Sequence, residues 1–230
     1  MMIGGFQETS LLDYPEKIAA IIWTIGCNFH CPFCYNRDLV LHESKQIPID
    51  QIFSFLDKRK GKIDAVSISG GEPFLQKDLP SFITEIKEKG FLIKVDTNGS
   101  FPDTLESMLD ESLIDYVSMD VKAPKKSYNA VAGTSVDIKN IIKSIHIIQE
   151  KALDYEFKTT VIPLFHNKQD ILDIARWLKG SKRYFIQQFK ATSSLLSEAL
   201  ITEKPYSKQM FDDICQEITP YFQECGIRGL

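Results

Sequence analysis

Six short runs rich in β-branched and aromatic residues alternate with amphipathic helical patterns along most of the 230-residue chain. Runs of this kind, separated by helices, indicate βαβ units with their strands side by side in a parallel sheet. The pattern alone allows either an open sheet or part of a (β/α) barrel. The six predicted strands cover residues 17–25, 64–70, 91–99, 115–124, 155–163 and 184–190.

The rest of the chain shows no internal boundary. A last helix is predicted over residues 206–226, before the terminal residues 227–230. No linker, charge block or low-complexity tract interrupts the strand–helix rhythm. We therefore expect a single domain over 1–230, with an N-terminal extension over 1–16 and a C-terminal helix and tail over 203–230.

Composition excludes several classes of function. The net charge is −4 and no long basic run is present, so we do not expect nucleic acid as the main partner. The longest apolar run, from Ile18, is far shorter than the roughly 18–20 residues that a membrane span needs. The first residues lack the basic-then-apolar order of a signal peptide. We expect a cytoplasmic protein with no membrane partner.

Three cysteines stand close together directly after the first predicted strand. Cys27, Cys31 and Cys34 follow the spacing C-x₃-C-x₂-C, and the total of five cysteines argues against a secreted disulfide framework. In a reducing compartment such a cluster indicates zinc or iron–sulfur binding. A cubane cluster has four irons, so three thiolates leave one iron open to an external ligand.

Zinc remains an alternative at this point. A structural zinc site needs four ligands, and His30 or His42 could complete one. Cys215 and Cys225 could also be distant ligands, although a plain buried or surface thiol is the more usual role.

Polar and glycine-rich segments end the next three predicted strands. The carboxyl ends of parallel strands meet at one edge of the sheet, where α/β folds place their sites. The side chains of these segments should therefore converge on one cleft. They are Gly70, Gly71 and Glu72 after the second strand, Thr97 and Asn98 after the third, and Asp120 and Lys122 after the fourth.

The cysteine spacing, with the aromatic Phe33 before the last cysteine, resembles the signature of radical S-adenosylmethionine (SAM) enzymes. The segment SGGEP, residues 69–73, is similar to the GGEP motif of the same family. The resemblance implies a [4Fe–4S] cluster on Cys27, Cys31 and Cys34, with SAM on the open iron. It also implies reductive cleavage of SAM to a 5′-deoxyadenosyl radical, within an incomplete parallel (β/α)6 TIM-like barrel.

The resemblance further implies SAM contacts for the strand-end residues. Residues 161–163 and 187–189 are weaker candidates, and for Asp120 with Lys122 a surface salt bridge is the alternative. The implied contacts are Gly70, Gly71 and Glu72 to the methionine amino group, Asp120 and Lys122 to the ribose and carboxylate, Thr97 and Asn98 to the same cleft, and the backbone around Phe33 and Tyr35 to the adenine.

Over nearly the whole chain the order of elements resembles the activating proteins of anaerobic ribonucleoside-triphosphate reductases and other glycyl-radical-enzyme activases. The likeness is sharpest over residues 3–36, although Tyr35 stands where pyruvate formate-lyase activases usually carry histidine. It implies a glycyl radical enzyme as partner and flavodoxin or ferredoxin as electron donor. Two alternatives stay open: a radical SAM enzyme on a small molecule, such as a 7-carboxy-7-deazaguanine synthase, and a non-catalytic zinc- or iron-binding interaction module.

Overall fold

Eight strands lie in one sheet, in chain order from β1 to β8, in a computed structural model that describes residues 1–192 and 194–230. Strands β2 to β8 are parallel, and β1 is antiparallel to β2. The strands are β1 (Ile3–Ser10), β2 (Ala19–Thr24), β3 (Ala65–Gly70), β4 (Leu92–Thr97), β5 (Tyr116–Asp120), β6 (Tyr155–Val161), β7 (Arg183–Gln188) and β8 (Glu224–Arg228).

Helices follow most of the strands and pack against the sheet in one large apolar core. None of the helices in the described ranges has the length and hydropathy needed to cross a membrane. The α-helices are α1 (Arg37–Val40), α2 (Ile49–Arg59), α3 (Leu79–Glu88), α4 (Pro102–Asp110), α5 (Tyr128–Ala132), α6 (Ile138–Lys151), α7 (Lys168–Trp177) and α8 (Lys208–Ile218).

The longest helix, α6, illustrates how local sequence sets these elements. Its N-terminus is capped by the Asp137 carboxylate, which accepts a bond from the Lys139 N–H at 3.0 Å. Ile141, Ile145 and Ile148 recur at helical spacing and are fully buried. This apolar stripe fixes which face of the helix packs on the rest of the core.

The α/β prediction is confirmed, because all six predicted strands are present and parallel. Two further strands extend the sheet at its edges: β1 within the predicted extension 1–16, and β8 within the predicted tail. No strand pairing joins β1 to β8 in the described part of the chain, so the sheet is an unclosed barrel.

The predicted C-terminal helix over 206–226 is wrong beyond Ile218. Helix α8 ends there, a 3₁₀ turn covers Thr219–Tyr221, and strand β8 follows. The physical reason is Pro220, which has no N–H to donate and clashes with the preceding helical turn. The Thr219 hydroxyl donates to the Cys215 carbonyl at 2.6 Å, which satisfies one of the free carbonyls at the helix end.

The charged residues of β4 and β6 alternate with apolar residues that face the helical core. Ile93, Val95 and Phe157 are fully buried, whereas the intervening Lys94 and Lys158 both reach the carboxylate of one aspartate in β4. Side chains in a strand alternate between its two faces. The concave face of the unclosed barrel is therefore charged along these strands.

Strand β8 contributes an ion pair to that concave face, between the partly exposed Arg228 and the buried Glu156. Glu156 is 2% exposed, and it accepts bonds from Tyr116 (3.0 Å), Ser118 (2.9 Å) and both terminal nitrogens of Arg228 (2.8 and 2.7 Å). The Arg228 guanidinium also lies 3.7 Å from the centre of the Phe185 ring. Burial would raise the pKa of Glu156, but Arg228 outweighs it and holds that pKa below its usual range.

Replacing Arg228 with alanine should therefore lower the free energy of unfolding by about 3 kcal/mol, because a buried carboxylate loses its cation. The loss should be largest at neutral pH, where Glu156 is ionised, and should shrink as the pH falls and the carboxyl becomes protonated. Urea unfolding at a series of pH values measures both effects.

Arg176→Ala is the matched control, because Arg176 is half exposed and pairs with Asp173 on a helix surface. It should change the free energy of unfolding by less than about 1 kcal/mol. Equal stability of the two variants at neutral pH would contradict a structural role for the Arg228–Glu156 pair.

Candidate active site

A cavity of about 230 Å³ opens at the carboxyl ends of strands β2 to β7. Eleven of the twelve residues predicted for the site line it, and Glu72 is the exception. The structure thus brings together residues that are far apart in the sequence, as expected for a parallel sheet. The eleven are Cys27, Cys31, Phe33, Cys34, Tyr35, Gly70, Gly71, Thr97, Asn98, Asp120 and Lys122.

The three cysteines lie on one loop after β2. Burial raises the pKa of Cys27 to about 12 and that of Cys31 to about 11, and it also raises the pKa of Cys34. The Lys122 ammonium acts in the opposite direction on all three thiols. The thiols are therefore protonated at neutral pH until a metal displaces their protons.

The donor set fits an iron–sulfur cluster. Cys27, Cys31 and Cys34 line the same cavity and would supply soft thiolate ligands on losing their protons, and a cubane takes its cysteines one per iron. Within residues 1–192 and 194–230, no group of three or more histidine, cysteine, aspartate or glutamate side chains is arranged around a single metal position. Three separate thiol donors around a cavity are compatible with a cluster of several irons.

The two glycines after β3 pack directly against the cysteine loop. A Cβ atom on Gly71 would lie 1.9 Å from the Gly26 carbonyl oxygen, and Gly70 has a φ of +112°. The Gly71 N–H donates to the Thr24 carbonyl at 2.9 Å, and the Glu72 N–H donates to the Gly26 carbonyl at 2.8 Å. Close packing of two loops therefore requires these glycines; their predicted approach to SAM stays a prediction.

Glu72 lies beneath the cavity rather than on its wall. Its buried carboxylate accepts bonds from the Asn98 N–H at 2.7 Å, the Thr97 hydroxyl at 2.8 Å and the Phe74 N–H at 3.3 Å. Burial raises its pKa to about 7 in spite of these bonds. Glu72 thus anchors the loop after β4, and its predicted contact with the amino group of SAM stays a prediction.

Asn98 connects that loop to the cysteines. Its side-chain nitrogen donates to the Asn28 side-chain oxygen at 2.8 Å and lies 3.9 Å from the Cys27 sulfur. The end of β3 is therefore fixed to the cysteine loop by the packing of Gly71, and the end of β4 is fixed to it by the side-chain amide of Asn98.

Five charged residues form an alternating row from the floor of the cavity to its wall. Lys94 contacts Asp96 at 2.7 Å, and Lys158 lies between Asp96 (3.2 Å) and Asp120 (3.7 Å). Lys122 contacts Asp120 at 3.2 Å, so the predicted salt bridge exists, but in the cavity wall and not on the open surface. Burial opposes these charges, yet the pKa of Lys158 is raised and that of Asp96 is lowered because the partners outweigh it.

Sequence reasoning missed five polar residues of the cavity wall: Asn36, Ser69, Asp96, Lys158 and Thr160. Asp96 could have been found by extending the strand alternation, since it is two residues before the predicted Asn98. Of the weaker candidates, Gln187 lines the cavity, whereas 161–163 and 188–189 are not among its lining residues.

His166, in the loop after β6, has a supporting role. Its Nδ1 accepts a bond from the Ile162 N–H at 3.1 Å, which leaves Nε2–H to donate to the Lys122 carbonyl at 2.8 Å. Burial lowers the pKa of His166, so the ring is neutral and keeps this tautomer. The imidazole therefore holds the backbone of Lys122 in place beside the cavity.

Comparison with known proteins agrees with this geometry. The sequence model of the Radical SAM superfamily matches residues 21–178, which contain the cysteine loop and the ends of β2 to β6. The chain belongs to the radical SAM superfamily. Its cofactors are accordingly a [4Fe–4S] cluster and S-adenosylmethionine, which confirms the prediction of both.

Two relatives from Methanocaldococcus jannaschii carry the name "putative glycyl-radical enzyme activating enzyme". One is 39% identical over 194 residues, which cover 82% of this chain and 80% of the relative. The other is 30% identical over 185 residues, covering 78% of this chain and 69% of the relative.

Among solved structures, Streptococcus suis SuiB bound to S-adenosylmethionine has the same fold. The TM-score is 0.70 at 16% sequence identity. The match covers 90% of this chain and 49% of SuiB, so this radical SAM enzyme spans about half the length of that protein.

Lys158→Met should leave Asp96 and Asp120 facing each other without the cation between them. We expect the free energy of unfolding at pH 7 to fall by about 2–3 kcal/mol, since each carboxylate keeps one other lysine. The lowered pKa of Asp96 stabilises the fold above its unfolded pKa and loses that effect as the pH falls. The deficit of the variant should therefore begin to shrink below about pH 4, where the carboxyls of the unfolded chain start to be protonated, and should continue to shrink as the pH falls further.

Lys143→Met provides the control, because Lys143 is half exposed and pairs with the exposed Asp103. Its free energy of unfolding should stay within about 1 kcal/mol of the wild type. A Lys158→Met deficit that persists unchanged at pH 3 would exclude the carboxylates as its cause.

Proposed function

We propose that this radical SAM enzyme activates a glycyl radical enzyme. The observation that carries the proposal is the relative at 39% identity, which covers four-fifths of both chains and has that activity in its name. The predicted site residues of the cavity are consistent with it. The proposed cluster ligands are Cys27, Cys31 and Cys34.

The residues of the chain have distinct proposed tasks. The cysteine thiolates hold the cluster, and Lys122 and Asp120 bind the carboxylate and ribose of SAM. Phe33, at 4% exposure, excludes water from the cavity wall. When bound and reduced, the cluster supplies the electron that cleaves SAM to methionine and a 5′-deoxyadenosyl radical.

We infer that the target is the α-hydrogen of a glycine in a partner protein. The partner that we propose is an anaerobic ribonucleoside-triphosphate reductase. The support is the resemblance of residues 3–36 to the activating proteins of those reductases. Flavodoxin or ferredoxin is the proposed electron donor. The single-domain prediction over 1–230 also remains a proposal, supported by the membership of all eight strands in one sheet.

If all three cysteines hold the cluster, replacing any one of them should remove both the cluster and the cleavage of SAM. Cys27→Ala, Cys31→Ala and Cys34→Ala should each abolish both cluster assembly and SAM cleavage, because each thiolate binds a different iron. Iron and sulfide analysis of anaerobically purified protein, together with chromatography of 5′-deoxyadenosine, measures the two losses. About four irons and four sulfides are expected in the wild type.

Cys215→Ser is the matched control, since Cys215 lies on α8 outside the cavity lining. It should keep full cluster content and SAM cleavage. A triad variant with wild-type cleavage would remove that cysteine from the ligand set. One zinc and no sulfide in the wild type would instead favour the zinc-binding module.

The partner assignment predicts a glycyl radical. Cluster-loaded, reduced enzyme mixed with SAM and a candidate anaerobic reductase should give a protein-based radical signal in electron paramagnetic resonance. Replacing the target glycine of the reductase with alanine should remove the signal while 5′-deoxyadenosine formation continues or slows.

The same samples separate this function from its alternative. SAM cleavage without a protein radical, combined with SAM-dependent turnover of a small molecule such as a deazaguanine precursor, would exclude the activase proposal. It would leave the cluster and SAM assignments intact.

A further inference from the structure

Cys215 and Cys225, the two cysteines outside the cavity, face each other near the C-terminus. Their sulfur atoms are 3.8 Å apart. Cys215 lies on α8 and Cys225 on β8, and both side chains are partly exposed. The pair is therefore in contact and accessible to small molecules, although the proposed activity uses neither thiol.

Independent elements of the fold set the position of each thiol. Strand β8 pairs in parallel with β7, where Cys225 is opposite Tyr184. Helix α8 packs on β8, and the Thr219 hydroxyl fixes the helix end through the Cys215 carbonyl. The contact between the sulfurs thus follows from backbone positions, and rotation about the side-chain bonds can bring them closer.

We propose that Cys215 and Cys225 form a reversible disulfide by exchange with a low-molecular-weight disulfide such as oxidised glutathione. The thiolate of one cysteine attacks a sulfur of oxidised glutathione and releases one glutathione thiolate. The second cysteine then attacks the mixed disulfide and releases the other. Two protein S–H bonds are replaced by one S–S bond, and oxidised glutathione is reduced to two molecules of glutathione.

Zinc is the competing occupant of such a pair. Two thiolates on one tetrahedral zinc would lie about 3.7 Å apart, so the separation of 3.8 Å does not exclude metal. Structural zinc takes four protein ligands, however, and this contact offers two.

The disulfide would join α8 to the outermost strand. Strand β8 has a paired neighbour on one side and carries Arg228, the partner of Glu156. Closing the short loop between Cys215 and Cys225 restricts the opening of β8. The cross-link lowers the conformational entropy of the state in which β8 has separated from β7. For a loop of this length, that separation should become about 100-fold less frequent.

The experiment uses anaerobic, cluster-loaded enzyme titrated with oxidised glutathione, then alkylated and digested with trypsin. Both cysteines lie in one tryptic peptide, residues 209–228. The disulfide removes the mass of two hydrogens from that peptide and blocks both alkylations. We expect this product at oxidant levels that leave iron and sulfide unchanged, and its reversal by dithiothreitol.

Cys215→Ser is the control variant and should give only a glutathione adduct or free thiol on Cys225. Amide hydrogen exchange over Glu224–Arg228 should slow by about 100-fold in oxidised wild type and not in the variant. The proposal is overturned if both cysteines stay alkylatable in native oxidised enzyme, if the disulfide forms only after denaturation, or if stoichiometric zinc occupies the pair. None of these results bears on the activase function.

Discussion

The contact between Gly71 and the carbonyl of Gly26 is the constraint on which the site depends. A Cβ atom on Gly71 would lie 1.9 Å from the Gly26 carbonyl oxygen, so no side chain fits between the end of β3 and the loop after β2. The hydrogen bond from Glu72 N–H to the same carbonyl keeps the two segments together, and the Glu72 carboxylate then holds the backbone of Asn98. Three strand ends are thereby fixed relative to one another before any ligand binds, so the cysteine loop is presented on a preformed wall.

The unclosed barrel explains why charges can occupy its concave face. In a closed barrel of this kind the interior is filled by branched apolar side chains. Here β1 and β8 do not pair in the described residues, and the concave face carries Lys94, Asp96 and Lys158. Such charges are tolerable only when they are paired, because isolated buried charges are strongly destabilising. Their pairing makes this side of the cavity rigid as well as polar.

The sequence predicted those parts of the fold and site that depend on local residue patterns. The six parallel strands and the convergence of their polar ends on one cavity were predictable, because β-rich runs that alternate with helices form a parallel sheet whose carboxyl ends meet at one edge. Strand β8 was not predictable, since the apolar period of α8 continues in the sequence through Phe222 and only Pro220 marks the end of the helix. Lys158 was missed for another reason: its partners Asp96 and Asp120 lie on other strands, and local sequence contains no information about those contacts.

Lys122 links the electrostatics of the cavity to its chemistry. The row from Lys94 to Lys122 contains three lysines and two aspartates, so one positive charge is left uncompensated within it. Lys122 is also the lysine that opposes the burial-induced rise in pKa at all three cysteines. The same ammonium therefore favours thiolates on one side of the cavity and pairs with the Asp120 carboxylate on the other. A neutral residue at this position would remove the cation that acts on all three thiols, so the pKa of each cysteine would rise further.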